Sequence, residues 1–153
     1  MIKKNILFVL FFILTSCGFS PIHINQNYLN YDLKIINMKG DIEINNIIKS
    51  KLTTKKSKAQ SGQKELFEIE IDTDYQRRIF SKNLAGTADN YQLNALTKVS
   101  IINNNIKKDY IFKETFLMKN INDQFEQTQY EKNIKNNFAN SISEKIISKI
   151  QLE

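Results

Sequence analysis

A chain of 153 residues with a net charge of +6, one cysteine, one histidine, one proline and four glycines is sized for one domain with a real core and is short for two. A single cysteine excludes a disulfide framework, and a single histidine without clustered cysteines or carboxylates excludes the common metal sites. The positive charge favours anionic partners, among which phospholipid, lipopolysaccharide and nucleic acid all qualify.

The amino terminus reads as a targeting segment. Lys3 and Lys4 are followed by the unbroken apolar run Ile6 to Leu14, then by the small residues Thr15 and Ser16, and then by Cys17. That order of charge, apolar stretch and small residues is a secretory signal peptide. As a helix, the run would span about 13.5 Å, against about 30 Å of hydrocarbon in a bilayer, so it is too short to anchor the chain. "LTSC" has the form of a bacterial lipobox, which makes residues 1–16 the signal peptide and Cys17 the lipidated first residue of the mature chain. Stable anchoring needs more than one acyl chain, and a cysteine carrying two or three, palmitate among them, meets that need. Removal of Lys3 and Lys4 leaves 20 basic against 16 acidic residues, a net +4. Export argues against nucleic acid as a partner, and an acylated Cys17 leaves the core alone to hold the fold.

Residues 17–30 mix Pro21, asparagines and isolated apolar side chains without a period and read as a tether; His23 within it reads as a surface residue. Tyr31 to Met38 is short and β-branched, a first strand. In the next segment Asp41 is a plausible helix N-cap, and Ile44, Ile47, Ile48 and Leu52 recur at helical spacing, so a helix runs from about 41 to 53. The lysine-rich stretch Thr53 to Lys64 loses all periodicity and reads as a solvated loop. "LFEIEIDTDY" alternates, with Phe67, Ile69 and Ile71 on one face and Glu68, Glu70 and Asp72 on the other. This is a half-buried second strand whose acids face water.

Loop chemistry at Ala85, Gly86, Asp89 and Asn90 ends that strand. A third begins at Tyr91, with Leu93, Ala95, Thr97, Val99 and Ile101 on its apolar side. Asn103 to Asn105 form a hairpin turn, because asparagine tolerates positive φ, and a fourth strand follows with Tyr110, Phe112, Phe116 and Met118 sharing a face. Thr128 followed by Glu131 has the spacing of a capping box, and Tyr130, Ile134, Phe138, Ile142, Ile146 and Ile150 then mark a long closing helix. The expected domain, residues 31–153, is therefore α+β in the order β-α-β-β-β-α. It is a two-layer sandwich in which a four-stranded mixed sheet carries two helices on one face. The first two strands, joined across a helix, are expected to be parallel.

No G-x-G-x-x-G, P-loop, G-x-S-x-G or metal-ligand spacing occurs in the chain, so a binding or assembly role without cofactor is expected in place of catalysis. The lipobox with "CGFSPIH" directly after it, the element order, "AGTADNYQL" at the start of the third strand and the closing amphipathic helix together resemble the LptE family. Those are the LPS-assembly lipoproteins of Gram-negative outer membranes. The resemblance implies a lipid-anchored protein on the periplasmic face of the outer membrane, seated in an LptD-like β-barrel as plug and assembly partner. It also implies help in delivering lipopolysaccharide to the outer leaflet. Family members place basic residues for lipopolysaccharide near the end of the second strand, and Arg77, Arg78 and Lys82, flanking Phe80, occupy that region here. Guanidinium and ammonium groups beside apolar surface suit lipid A phosphates, although adjacent arginines on a strand point to opposite faces. A second basic contribution before the last helix is not clearly reproduced in "DQFEQTQY". Two other classes remain open: an accessory lipoprotein of another envelope complex, and a lipid-anchored hydrolase, which a loss-of-activity scan of Asp72, Asp74 and His23 would expose.

Overall fold

The computed structural model describes residues 31–54 and 65–152. Residues 1–30, which hold the expected signal peptide, Cys17 and the expected tether with His23, and the lysine-rich run 55–64 lie outside the described residues. Six elements follow in order: β1 (Tyr31–Gly40), α1 (Ile42–Thr54), β2 (Glu65–Lys82), β3 (Ala88–Asn103), β4 (Ile106–Lys119) and α2 (Gln124–Ile150). The four strands form one sheet in the order β1-β2-β3-β4. β1 pairs with β2 in parallel, and the other two pairings are antiparallel. The α+β order and mixed sheet are those expected from the sequence.

Alternation decides which face is covered. Phe67, Ile69, Ile71 and Thr73 of β2 are buried, as are Leu93, Ala95, Thr97, Val99 and Ile101 of β3, whereas Leu66 on the opposite face is half exposed. The covered face meets Ile44, Ile48 and Leu52 of α1 and the stripe Ile134, Phe138, Ile142, Ile146 and Ile150 of α2. These side chains are the main stabilising term, since cutting a buried isoleucine or leucine to alanine costs about 2–5 kcal/mol. The α2 stripe also includes Ala139, Ser143 and Ile147, all buried, because a helix enclosed between a sheet and a second helix buries more than one row.

Three local devices set the geometry. Asp41 caps α1, its Oδ1 accepting from Ile44 N–H at 2.9 Å. Gly40 just before it has φ +85°, and a Cβ there would stand 1.9 Å from the Thr73 carbonyl oxygen. Only glycine fits this crossing, which brings Asp41 N–H to the same carbonyl at 2.8 Å. At the β3–β4 turn Asn104 and Asn105 take φ of 48° and 63°, the left-handed pair that a two-residue hairpin needs.

The start of α2 differs from the expectation. The helix begins at Gln124, and its N-cap is Asp123, which accepts from Glu126 N–H at 2.9 Å. Thr128 lies inside the first turns and donates back to the Gln124 carbonyl. The two spacings, Asp123 with Glu126 and Thr128 with Glu131, both satisfy the local signature. The earlier one prevails because Gln127, buried at the first turn, donates to Met118 Sδ while its Oε1 accepts from Ile121 N–H, which fixes the loop from β4.

Between α1 and the sheet, Asn45 donates to the Lys39 carbonyl at 2.6 Å and accepts from Thr73 Oγ1 at 2.8 Å, with Thr97 Oγ1 a further 3.0 Å from Thr73. Each of these buried polar groups has a partner, so the cluster fixes the seat of α1 without a desolvation penalty left over.

Candidate functional site

β1 stops pairing at Gly40, opposite Thr73, while β2 continues to Lys82. The 18-residue β2 would extend about 60 Å at 3.3 Å per residue, and its second half rises beyond β1 with β3 and β4 beside it. All three residues expected at an anion site lie on this projecting part.

Arg77 continues the inward series of Phe67, Ile69, Ile71, Thr73 and Tyr75 and therefore faces α2. Its guanidinium lies 3.8 Å from the centre of the Tyr91 ring, and Nη1 donates to Glu131 Oε2 at 2.8 Å. Glu131 Oε1 in turn accepts from the Tyr75 hydroxyl at 2.7 Å. Lys135, one helical turn further on, lies 4.3 Å from the Tyr75 ring centre and bridges Asp41 Oδ2 at 2.8 Å and Glu43 Oε2 at 3.2 Å. A connected chain of charged and phenolic groups thus joins β2, the cap of α1 and the first half of α2.

The electrostatics follow from that chain. Burial, reinforced by the hydrogen bond to Glu131, pushes the Tyr75 hydroxyl well above the ordinary phenol range, so it donates at any physiological pH. Burial of Lys135 disfavours its charge, but the hydrogen bonds and charges of Asp41 and Glu43 outweigh that and raise its pKa. The Arg77–Glu131 pair is partly solvated, with side chains 34% and 18% exposed, so its ionic part is worth about 0–1 kcal/mol. The cation–π contact adds about 0.5–1 kcal/mol.

Arg78 faces the other way. It donates to Gln76 Oε1 on the open face of the sheet, and Gln76 donates to Asp74 Oδ2 at 2.7 Å. Lys82, exposed, closes β2 opposite Ala88. The structure therefore brings Arg77 together with Tyr91 and Glu131, places Arg78 across the sheet from it, and sets Lys82 at the hairpin tip. Apolar side chains accompany them. Ile79 is 53% and Phe80 60% exposed, and Leu84 is fully exposed on a tip closed by Asn83, whose Oδ1 accepts from the N–H groups of Ala85 and Thr87. The register of β2 against β3 shifts between Ile79 and Ser81, which makes Phe80 the extra residue of a bulge. Cations beside exposed apolar side chains suit an amphiphile carrying negative charge, and this end of the sheet supplies both.

Tyr75, Tyr91, Glu131 and Lys135 are contacts that the sequence reading missed. A signal was available for part of them: extending the alternation of β2 places Tyr75 and Arg77 against the helices, and Glu131 and Lys135 stand one turn apart on α2.

Among the described residues no group of three or more histidines, cysteines, aspartates or glutamates is placed to hold a metal ion. A cleft between the helices, lined by Lys51, Asn140, Ser143, Glu144 and Ile147, encloses about 50 Å³, well below the size usual for small-molecule sites. No described helix is long and apolar enough to cross a membrane.

No family model and no curated protein matches the chain. Solved structures do. Rare lipoprotein B from Shewanella oneidensis superposes with a TM-score of 0.56 at 7% identity, over 77% of this chain and 94% of the other. A candidate lipoprotein from Caulobacter crescentus CB15 gives 0.51 at 9% identity, over 78% and 90%. Uncharacterized lipoprotein B from Nitrosomonas europaea gives 0.51 at 11% identity, over 79% and 84%. The chain has a fold seen in bacterial lipoproteins. At these identities the likeness is one of fold, and the side chains at the projecting end are this chain's own.

Proposed function

We propose that the protein is an outer-membrane lipoprotein of LptE type, held on the periplasmic face through Cys17. In this reading it plugs an LptD-like β-barrel, assists assembly of that barrel and helps deliver lipopolysaccharide to the outer leaflet, without performing catalysis. The observation that carries the reading is the pairing of a lipobox with a domain whose fold is shared with three bacterial lipoproteins. The projecting end adds support. Arg77, Arg78 and Lys82 lie near Ile79, Phe80 and Leu84, so phosphate and acyl groups of one amphiphile have complementary surface there. Arg77 and Arg78, being on opposite faces, serve such a ligand as two flanking contacts and not as one fork.

The test of the site is the affinity of the full-length chain in detergent for lipopolysaccharide. Arg77→Glu with Arg78→Glu and Lys82→Glu is expected to weaken binding at low salt by at least about tenfold, the equivalent of 1.4 kcal/mol. An unchanged affinity in a folded triple variant removes these residues from the site.

A further inference from the structure

One carboxylate already occupies the anion position of Arg77. Glu131 divides its two oxygens, Oε2 taking the Arg77 N–H at 2.8 Å and Oε1 the Tyr75 hydroxyl at 2.7 Å. Each member of the pair is also held by something other than its partner. If Arg77 is taken by another anion, Glu131 keeps the Tyr75 hydrogen bond and is not left as an unpaired, largely buried charge. If Glu131 withdraws, Arg77 keeps its seat 3.8 Å from the Tyr91 ring centre. The pair is closed on the Tyr91 side and reachable by solvent on the other, since 34% of the Arg77 side chain is exposed. These are the requirements of an exchangeable counter-ion, in contrast to the Lys135 pairing, where the cation is only 14% exposed and bridges two carboxylates.

We propose that Glu131 is a resident ligand of Arg77 that a phosphate monoester displaces, so that the site admits amphiphiles carrying a phosphate monoester and refuses monoanionic ones, phosphodiesters included. A phosphate monoester brings three acceptor oxygens and a charge of about −1.5 to −2 near neutral pH, against two oxygens and −1 for a carboxylate. A phosphodiester carries only −1 and gains nothing over Glu131. The proposal rests on the anion-binding reading above and adds to it the residue that sets selectivity.

The experiment is isothermal titration of the full-length chain in non-ionic detergent micelles. The micelles carry phosphatidic acid in one arm and phosphatidylglycerol in another, and a third arm uses inorganic phosphate with empty micelles. The wild type is expected to bind phosphatidic acid and not phosphatidylglycerol. Glu131→Gln, which keeps an acceptor for Tyr75, is expected to bind phosphatidic acid about tenfold more tightly and to gain phosphatidylglycerol binding, with Arg77→Gln in the same chain removing both gains. The same tightening toward inorganic phosphate supports the proposal with the phosphate group alone as the displacing ligand. Wild-type binding that Glu131→Gln leaves unchanged overturns the proposal while the anion reading stands, and no binding by either chain overturns both. Should Glu131→Gln fail to fold, carboxyl-labelled wild type decides: the Glu131 resonance is expected to move on addition of phosphatidic acid, and a stationary resonance overturns the displacement.

Discussion

Gly40 shows how much one residue can decide. With φ +85° and a virtual Cβ 1.9 Å from the Thr73 carbonyl oxygen, the position tolerates no side chain. Gly40→Ala is expected to lower stability by about 2 kcal/mol or more, from left-handed strain together with displacement of the Thr73 strand, as measured by urea unfolding. Tyr75 contributes to behaviour at high pH. Its hydroxyl, raised by burial and by Glu131, keeps its proton in the folded state above the pH at which an unfolded tyrosine, near 10.0, loses it. Lys135 is raised as well. The folded chain therefore holds more protons than the unfolded one above about pH 10, and stability falls there while being fully present below. Tyr75→Phe is expected to cost about 1 kcal/mol at pH 7, through the lost hydrogen bond, and to flatten the alkaline decline. An equally steep decline in the variant would place its cause elsewhere.

Elements were legible in the sequence to the extent that periodicity defined them. The alternation of Phe67, Ile69 and Ile71, the four-residue recurrence from Ile134 to Ile150 and the asparagine turn each led to the right element, because a buried face must be apolar and a two-residue hairpin must take positive φ. Boundaries were less legible. β2 runs on to Lys82 and β3 starts at Ala88, since backbone pairing between them continues where the apolar pattern has stopped. The start of α2 differs from the expected one because two cap spacings lie close together, and the tertiary contacts of Gln127 with Met118 and Ile121 select Asp123. Asp123→Ala is accordingly expected to lower the melting temperature, with a loss of about 1 kcal/mol. Thr128→Ala should stay within about 0.5 kcal/mol. The candidate site was half legible for the same reason: strand parity foretold that Arg77 and Arg78 diverge, whereas Glu131 comes from a helix 54 residues away, and nothing local announces that meeting.

At the scale of the molecule, the covered sheet face is occupied by the two helices, and the proposed function rests on the projecting end of the β2–β3 hairpin and on the proposed lipid anchor at Cys17. Cys17→Ala is expected to leave the precursor without acyl chains and out of the outer-membrane fraction, and mass spectrometry finding acylated variant there would contradict the lipobox. The central claim is partnership with a barrel. Its most direct test is a pull-down of the tagged, full-length protein from detergent-solubilised outer membranes, with mass spectrometry of what accompanies it. A stoichiometric LptD-like barrel is the result expected here, and recovery of a different barrel, or of none, would contradict the account.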